Sequence, residues 1–515
     1  MDPRDSSLKA LPISARCPAV GNEGSAVCIG RRNSFLFSAR VIACAVRPGR
    51  CAITKSLRFT TQTMNSTAVE SGVSSYSTYV NPQWVRLLDL LEMNVEYERC
   101  VGSELFTADG RRILDFLSGY CVHNIGHNHP AVIAALREEL EARGPAMIQS
   151  HVARLAGDLA ERLCRLAGGT LKKVFFASSG SEGVEAAIKF SRAHTGRNGL
   201  LYAKGAFHGL TCGALSLMDD PFWRGNFGPL LPETVAIPFN DLASIEQQLA
   251  TRQYAAFICE PIQAEGGIRL PAPEYWSQVQ ALCRRYGTLL VLDEVQTGMH
   301  RTGPFLASHI YDARPDMVIL AKALSGGLVP VSAVLMTDEI YSSVYNSLKR
   351  AIVHTSTFSE NSLAMRAGLA TLEVLESENL GARATAGGQQ LRDMLSDALR
   401  GYEMVKGVRG EGMLSGIEFR SPQQLRLRIA YEGFMKIHPA MFGQIIVMRL
   451  FRDHDILTQI CGNHFTVLKA APPLVVTEEQ MEQFVRAVRE VVDLAHSSTS
   501  FWSEALGLAR RAINL

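Results

Sequence analysis

Two apolar runs that each end on one polar residue constrain this chain more than any other feature. Leu289-Leu290-Val291-Leu292 runs into Asp293, with Glu294-Val295-Gln296-Thr297-Gly298 behind it, and a helix-length interval later Met317-Val318-Ile319-Leu320-Ala321 runs into Lys322. Short apolar runs bounded by turn signals and spaced in this way are the pattern of buried strands in a parallel sheet. The carboxyl ends of such strands open onto the crevice where α/β sheets bind ligands. An acid and an amine placed there suit a cofactor ring that needs both. They predict pyridoxal phosphate (PLP), with Lys322 as the Schiff-base amine and Asp293 against the pyridine nitrogen.

The rest of the composition narrows the partners. The 515 residues carry 52 basic and 50 acidic side chains, a net charge of +2, which gives no electrostatic footing for nucleic acid or an anionic membrane surface. Small molecules are the expected ligands. The 11 cysteines are odd in number and lack CxxC or Cys/His ligand spacing, which points to a reducing, cytoplasmic setting rather than a disulfide scaffold. No run approaches the roughly 20 apolar residues of a spanning helix. Residues 1–63 stand apart, with Arg4, Arg16, Arg31, Arg32, Arg40, Arg47, Arg50 and Arg58 against only Asp2, Asp5 and Glu23. They are expected to be a disordered leader, either transit-like, with organellar import, or a mis-assigned start ahead of Met64.

Several loops at the ends of further apolar runs carry polar groups. Glu104–Asp115 holds Asp109-Gly110 between short apolar runs and predicts a hairpin in a small β-rich N-terminal element. His123, His127 and His129 invite a metal reading, but no Cys or carboxylate sits at ligand spacing and His129-Pro130 is ordinary chemistry at a helix start. Val174–Ala177 is a strand followed by Ser178-Ser179-Gly180-Ser181-Glu182-Gly183, where backbone N–H groups at a helix start form a phosphate seat; alone, such a turn is more often an N-cap. Gly199–Ala203 leads to Phe207-His208-Gly209, with Phe207 either a core aromatic or a ring stacked on a flat cofactor. Tyr254–Cys259 ends in Glu260. Four or five strands thus bring polar or aromatic groups to one edge.

Ser179-Gly180-Ser181-Glu182, Phe207-His208-Gly209, Glu260-Pro261-Ile262-Gln263, Asp293 to Gly298, Lys322-Ala323-Leu324-Ser325-Gly326-Gly327 and Thr357 occur in the order and spacing of the class III PLP-dependent aminotransferases. The chain resembles their ornithine and acetylornithine branch over roughly residues 80 to 495. The resemblance implies fold type I, an α/β architecture with a mostly parallel seven-stranded sheet in a large domain (116–380). It also implies a small α+β domain from both chain ends (64–115 and 381–495), a C-terminal helical tail (496–515), and a homodimer with shared active sites. By the same resemblance Lys322 carries the cofactor and moves protons, and Asp293 keeps the ring nitrogen protonated. Gln296 meets the ring hydroxyl, Phe207 and His208 lie beside the ring, and Gly180 and Ser181 hold the phosphate with Thr357 of the neighbouring subunit. Glu260 and Glu265 are carboxylates near the substrate, and Tyr120 is the pocket tyrosine. The implied reaction moves a terminal amino group from a primary amine, diamine or amino acid to a 2-oxo acid or aldehyde in two ping-pong halves. A PLP aminomutase or racemase of the same fold, and a non-catalytic binding protein, are the alternatives.

The departures concern substrate. Where ornithine-type enzymes pair the second glutamate with an arginine, this chain has Lys469, which lacks the fork for bidentate carboxylate binding. Leu210 replaces the arginine expected to hold ornithine's α-carboxylate, and an expected N-terminal tyrosine falls near Leu90. An apolar wall in place of that arginine argues against free ornithine as the best donor. Residues 431–444 are longer and more apolar than the usual connection, as extra small-domain core or as the lining of a wider pocket. Ser359-Glu360-Asn361 replaces the common Gly-Gly-Asn. The end of the chain, with Phe501, Trp502, Ala505, Leu508 and Ala509 on one helical face, is expected to pack on the body.

Overall fold

A computed structural model describes residues 75–148, 150–437 and 441–513; the leader and Met64 lie outside the described residues. The N-terminal hairpin forms as its Asp-Gly turn predicts. Strands β1 (Tyr97–Val101), β2 (Glu104–Thr107) and β3 (Arg112–Asp115) are antiparallel neighbours. The large sheet follows, built from β4 (Lys173–Ala177), β5 (Gly199–Ala203), β6 (Thr234–Ile237), β7 (Tyr254–Cys259), β8 (Leu289–Asp293), β9 (Met317–Leu320) and β10 (Ser332–Met336). Their spatial order is β4-β10-β9-β8-β7-β5-β6. Only β10 runs antiparallel to its neighbours, Ala333 facing both Phe176 and Leu320. Every residue of β5, β7, β8, β9 and β10 is buried, the expected consequence of helices covering both faces.

The remaining strands are β11 (Val405–Glu411), β12 (Leu414–Phe419), β13 (Ile456–Leu457), β14 (Gln459–Cys461) and β15 (His464–Ala470). Four of them form a second sheet in the order β11-β12-β15-β14. The fifth, β13, adds in parallel to β3 with Ile456 opposite Leu114, so the two ends of the chain share a sheet. The tip of the β14–β15 hairpin, Gly462 and Asn463, reaches the edge of the large sheet through hydrogen bonds to Glu265 and Gly205.

The described apolar residues of the 431–444 segment join the core. Helices α1 (Leu425–Ile437) and α2 (Met441–His454) bury Tyr431, Phe434, Met441 and Phe442 in the main apolar cluster. The C-terminal helix α3 (Thr499–Ile513) completes it, with Trp502 stacked on Phe442 at 6.3 Å and Phe501, Ala505, Leu508 and Ala509 buried. Burying Phe501 and Trp502 contributes roughly 1.5–3 kcal/mol each. Glu504 on the polar side bridges Arg449 and Arg452, the latter at 2.7 Å.

The three histidines have local partners. His127 Nε2 lies 2.7 Å from Asp115, and His123 stacks on His127 at 3.8 Å. His129 caps the helix Pro130–Ala142 through Nδ1 and meets Glu378 at 3.0 Å. Among the described residues no helix is long and apolar enough to cross a membrane.

Candidate active site

The carboxyl ends of β4, β5, β7, β8 and β9 open onto one cavity of about 410 Å³. Its wall holds Ser178 to Ser181 after β4, Phe207 to Gly209 after β5, Glu260 after β7, Asp293 and Gln296 on β8 and its loop, and Lys322 after β9. Val122 and the stretch Leu328 to Val331 supply an apolar side that the sequence reasoning missed. These residues sit in turns with no distinctive spacing, so the chain carries little local signal for them.

Lys322 opens a short 3₁₀ turn, Lys322–Ser325, with φ of 43°. Left-handed backbone is uncommon for a lysine and is kept where the surroundings hold a side chain in one place. Burial disfavours the ammonium and lowers its pKa, although the charge of Asp293 works the other way. The amine is therefore more easily freed of its proton than a surface lysine.

Asp293 is buried and held on both oxygens. Oδ1 accepts from the Val295 N–H at 3.0 Å, and Oδ2 lies 2.8 Å from His208 Nδ1. The His208 side chain has no exposed surface. Burial opposes its positive charge, but the hydrogen bond to Asp293 and the charges of Asp293 and Glu260 prevail and raise its pKa. A protonated or proton-sharing His208 holds the Asp293 carboxyl in place. The motif placed His208 at the cofactor, but only the fold reveals that it acts through Asp293.

Glu260 accepts from the Phe207 N–H at 3.0 Å and the Ala264 N–H at 2.9 Å, so both oxygens tie the loops after β5 and β7 together. Burial pushes its pKa from 4.5 up to about 7, with His208 pulling it down and Asp293 pushing it up. Since the folded state holds this proton more tightly than the unfolded chain, Glu260 stabilises fully below pH 4.5. Its contribution is lost as pH rises towards 7. Glu260→Gln is expected to abolish that loss, a difference on the order of a few kcal/mol. Urea denaturation of both proteins at pH 5 and pH 8 checks it; parallel pH trends would contradict it.

Glu265 and Lys469 form a buried ion pair, and Lys469 is fully inaccessible. The Glu265 carboxylate also accepts from the Gly462 N–H at 2.8 Å and Gln296 Nε2 at 3.1 Å. Burial alone would raise the glutamate's pKa and lower the lysine's. The pair reverses both, so Glu265 is lowered and Lys469 raised. Tyr120 lies over the ammonium, its ring centroid 5.1 Å from Nζ. Lys469, Glu265 and Tyr120 are adjacent to the cavity wall through Gln296 rather than part of it.

Three expected positions lie outside this cavity. Leu210 is 54 % exposed in the single chain and is absent from the cavity lining. Its backbone N–H instead donates to Ser181 Oγ at 3.3 Å. Gly209 before it has φ of 119°, and a Cβ there would lie 2.0 Å from Ser181 Oγ, so only glycine allows this approach. Leu90, by contrast, is buried in the main core. Thr357 lines a second cavity of about 490 Å³ together with Ser359 and Glu360, not the one holding Lys322.

The residues present fit PLP. The Asp293 carboxyl suits the ring N–H, and Lys322 supplies the amine. Gly180 and Ser181 lie in the first turn of the helix Gly180–Thr195, where backbone N–H groups lack intrahelical partners. Gln296 Oε1 is buried without a hydrogen-bond partner among the described residues, an acceptor available to a ligand. A mostly parallel seven-stranded sheet with such a site defines a PLP-dependent transferase of fold type I. The family model for class-III aminotransferases matches residues 89–492, and the chain belongs to that family.

Its relatives agree. The chain is 35 % identical over 457 residues to the aminotransferase PigE of Serratia sp., covering 83 % of this chain and 54 % of that protein, so it spans about half the length of this relative. It is 35 % identical over 434 residues to a putrescine aminotransferase of Pectobacterium atrosepticum, covering 82 % of this chain and 88 % of the relative. Among solved structures, ornithine aminotransferase from Toxoplasma gondii superposes with a TM-score of 0.73 at 28 % identity, covering 84 % of this chain and 99 % of that one. A PLP-bound amine transaminase from an uncultivated Pseudomonas species gives 0.68 at 28 % identity, covering 78 % and 95 %.

Proposed function

We propose that the protein moves a terminal amino group from a primary amine or diamine lacking an α-carboxylate to a 2-oxo acid or aldehyde, in two ping-pong halves. The observation that carries this reading is the charge of the site. Among the described residues lining the cavity there is no arginine, and Lys469 is fully buried against Glu265. A substrate α-carboxylate would enter without a bidentate partner and lose its hydration, whereas an alkyl amine would meet Val122, Leu328, Val329 and Val331.

PLP supplies the electron sink that takes up and returns the amino group. Lys322 is the base that moves the proton to and from the substrate carbon, a task suited to an amine with a lowered pKa. Asp293, steadied by His208, holds the ring nitrogen's proton, and Phe207 packs against the ring face. Gly180 and Ser181 receive the phosphate, and Gln296 presents a free carbonyl oxygen.

This reading includes a homodimer in which Thr357 serves the neighbouring subunit. Its support is the second cavity, which holds Thr357 and is flanked by exposed Ile148, Val152, Leu348, Ile352 and Phe358, an apolar surface of the kind a second copy covers. It also includes a small domain made from 64–115 and 381–495, supported by the pairing of β3 with β13. A cytoplasmic location suits the free thiols of the described cysteines.

A donor screen tests the proposal, comparing ornithine, its decarboxylated diamine, γ-aminobutyrate and long-chain amines by the change in cofactor absorbance and by keto product released from an added acceptor. Ornithine is expected to be no better than the diamine. A strong ornithine preference would overturn the reading.

A further inference from the structure

The ring of Phe207 packs against an aromatic residue of the following loop, which is itself anchored by a residue far along the chain. Trp223, in the short helix Pro221–Arg224, meets Phe207 edge to face, with centroids 5.3 Å apart and planes at 79°. Its Nε1 donates to Asn463 Oδ1 at 2.8 Å. The Asn463 amide nitrogen in turn donates to the carbonyls of Gly205 (3.1 Å) and Ala206 (3.0 Å), the two residues before Phe207. The backbone N–H of Asn463 donates to the Glu265 carbonyl at 3.0 Å, and the N–H of Gly462 to the Glu265 carboxylate at 2.8 Å.

Asn463 therefore uses its side-chain acceptor, both side-chain donors and its backbone donor in one place. Three loops meet there: the one after β5 that carries Phe207, the one with Trp223, and the one after β7 that carries Glu265. The hairpin tip packs closely as well: a Cβ on Gly462 would lie 3.2 Å from Glu265 Oε2, which would have to give slightly, and in ordinary contact at 3.6 Å with Trp223 Cζ2.

We propose that Trp223 and Asn463 are positioning residues that set the plane of Phe207 against the cofactor and tie it to the Glu265–Lys469 pair. The inference rests on the PLP reading of the cavity. An aromatic pair is directional, and an amide bonded at every position fixes its neighbours more than any single bond does. Neither residue lines the cavity, so both act through Phe207 and Glu265.

The test compares wild-type holoenzyme with Trp223→Phe and Asn463→Ala. Three quantities are read: the PLP dissociation constant from absorbance titration, the visible circular dichroism of bound PLP, and the thermal unfolding midpoint. Asn463→Ala is expected to weaken PLP binding about 10-fold and Trp223→Phe by a smaller factor. Both are expected to change the dichroism of the bound cofactor, which a merely structural role would leave alone. Wild-type affinity and dichroism in both variants would overturn the clamp. If Asn463→Ala does not fold, Trp223→Phe decides by the same two readings. A wild type that takes up no PLP overturns the proposed function itself; one that does, with variants indistinguishable from it, overturns the clamp alone.

Discussion

Lys322→Ala is expected to lower amino-group transfer by at least about 10⁴-fold, because one side chain supplies both the covalent anchor and the proton shuttle. The fold should survive. Lys322 lies in a turn lining the cavity, burial disfavours its charge, and it forms no ion pair among the described residues, so truncation costs little stability. Far-ultraviolet circular dichroism with steady-state kinetics checks both halves. Activity within about tenfold of wild type would place the covalent chemistry on another residue.

Lys469→Met is expected to destabilise the protein by about 3–5 kcal/mol, since it leaves the Glu265 carboxylate buried without its counter-charge. Gly462 and Gln296 still donate to that carboxylate, but neither supplies charge. Adding Glu265→Gln to the same protein should recover much of the loss, because a buried pair replaced at both ends is often close to neutral. Urea denaturation of the two single variants and the double variant gives the coupling energy. Additive losses would show that the two side chains do not depend on each other.

The strands that build the cavity were legible because each is a local apolar run with a polar residue at its carboxyl end. Asp293, Lys322, Glu260, Phe207 and the Ser178–Ser181 turn all needed only that pattern to be placed on one edge, and the cavity brings them together. The C-terminal helix was legible in the same way, since apolar spacing announced a buried face, whereas the sequence left 431–444 open between core and pocket lining and only the fold puts its described apolar residues in the core. What escaped were relations between side chains distant in sequence. His208 against Asp293 and Trp223 against Asn463 bridge strands and loops whose adjacency exists only after folding. Leu210 is the opposite case: its motif position predicts a pocket wall, yet in the single chain the residue is largely exposed and outside the cavity lining. Lys469 was placed against Glu265, but its complete burial and its cover by Tyr120 came from the fold.

Lys322 is expected to carry PLP opposite Asp293, and treating the PLP-loaded protein with borohydride and mapping the modified peptide by mass spectrometry tests this. One pyridoxyl adduct is expected, on Lys322, accompanied by loss of visible absorbance. An adduct on another lysine, or none, would contradict it.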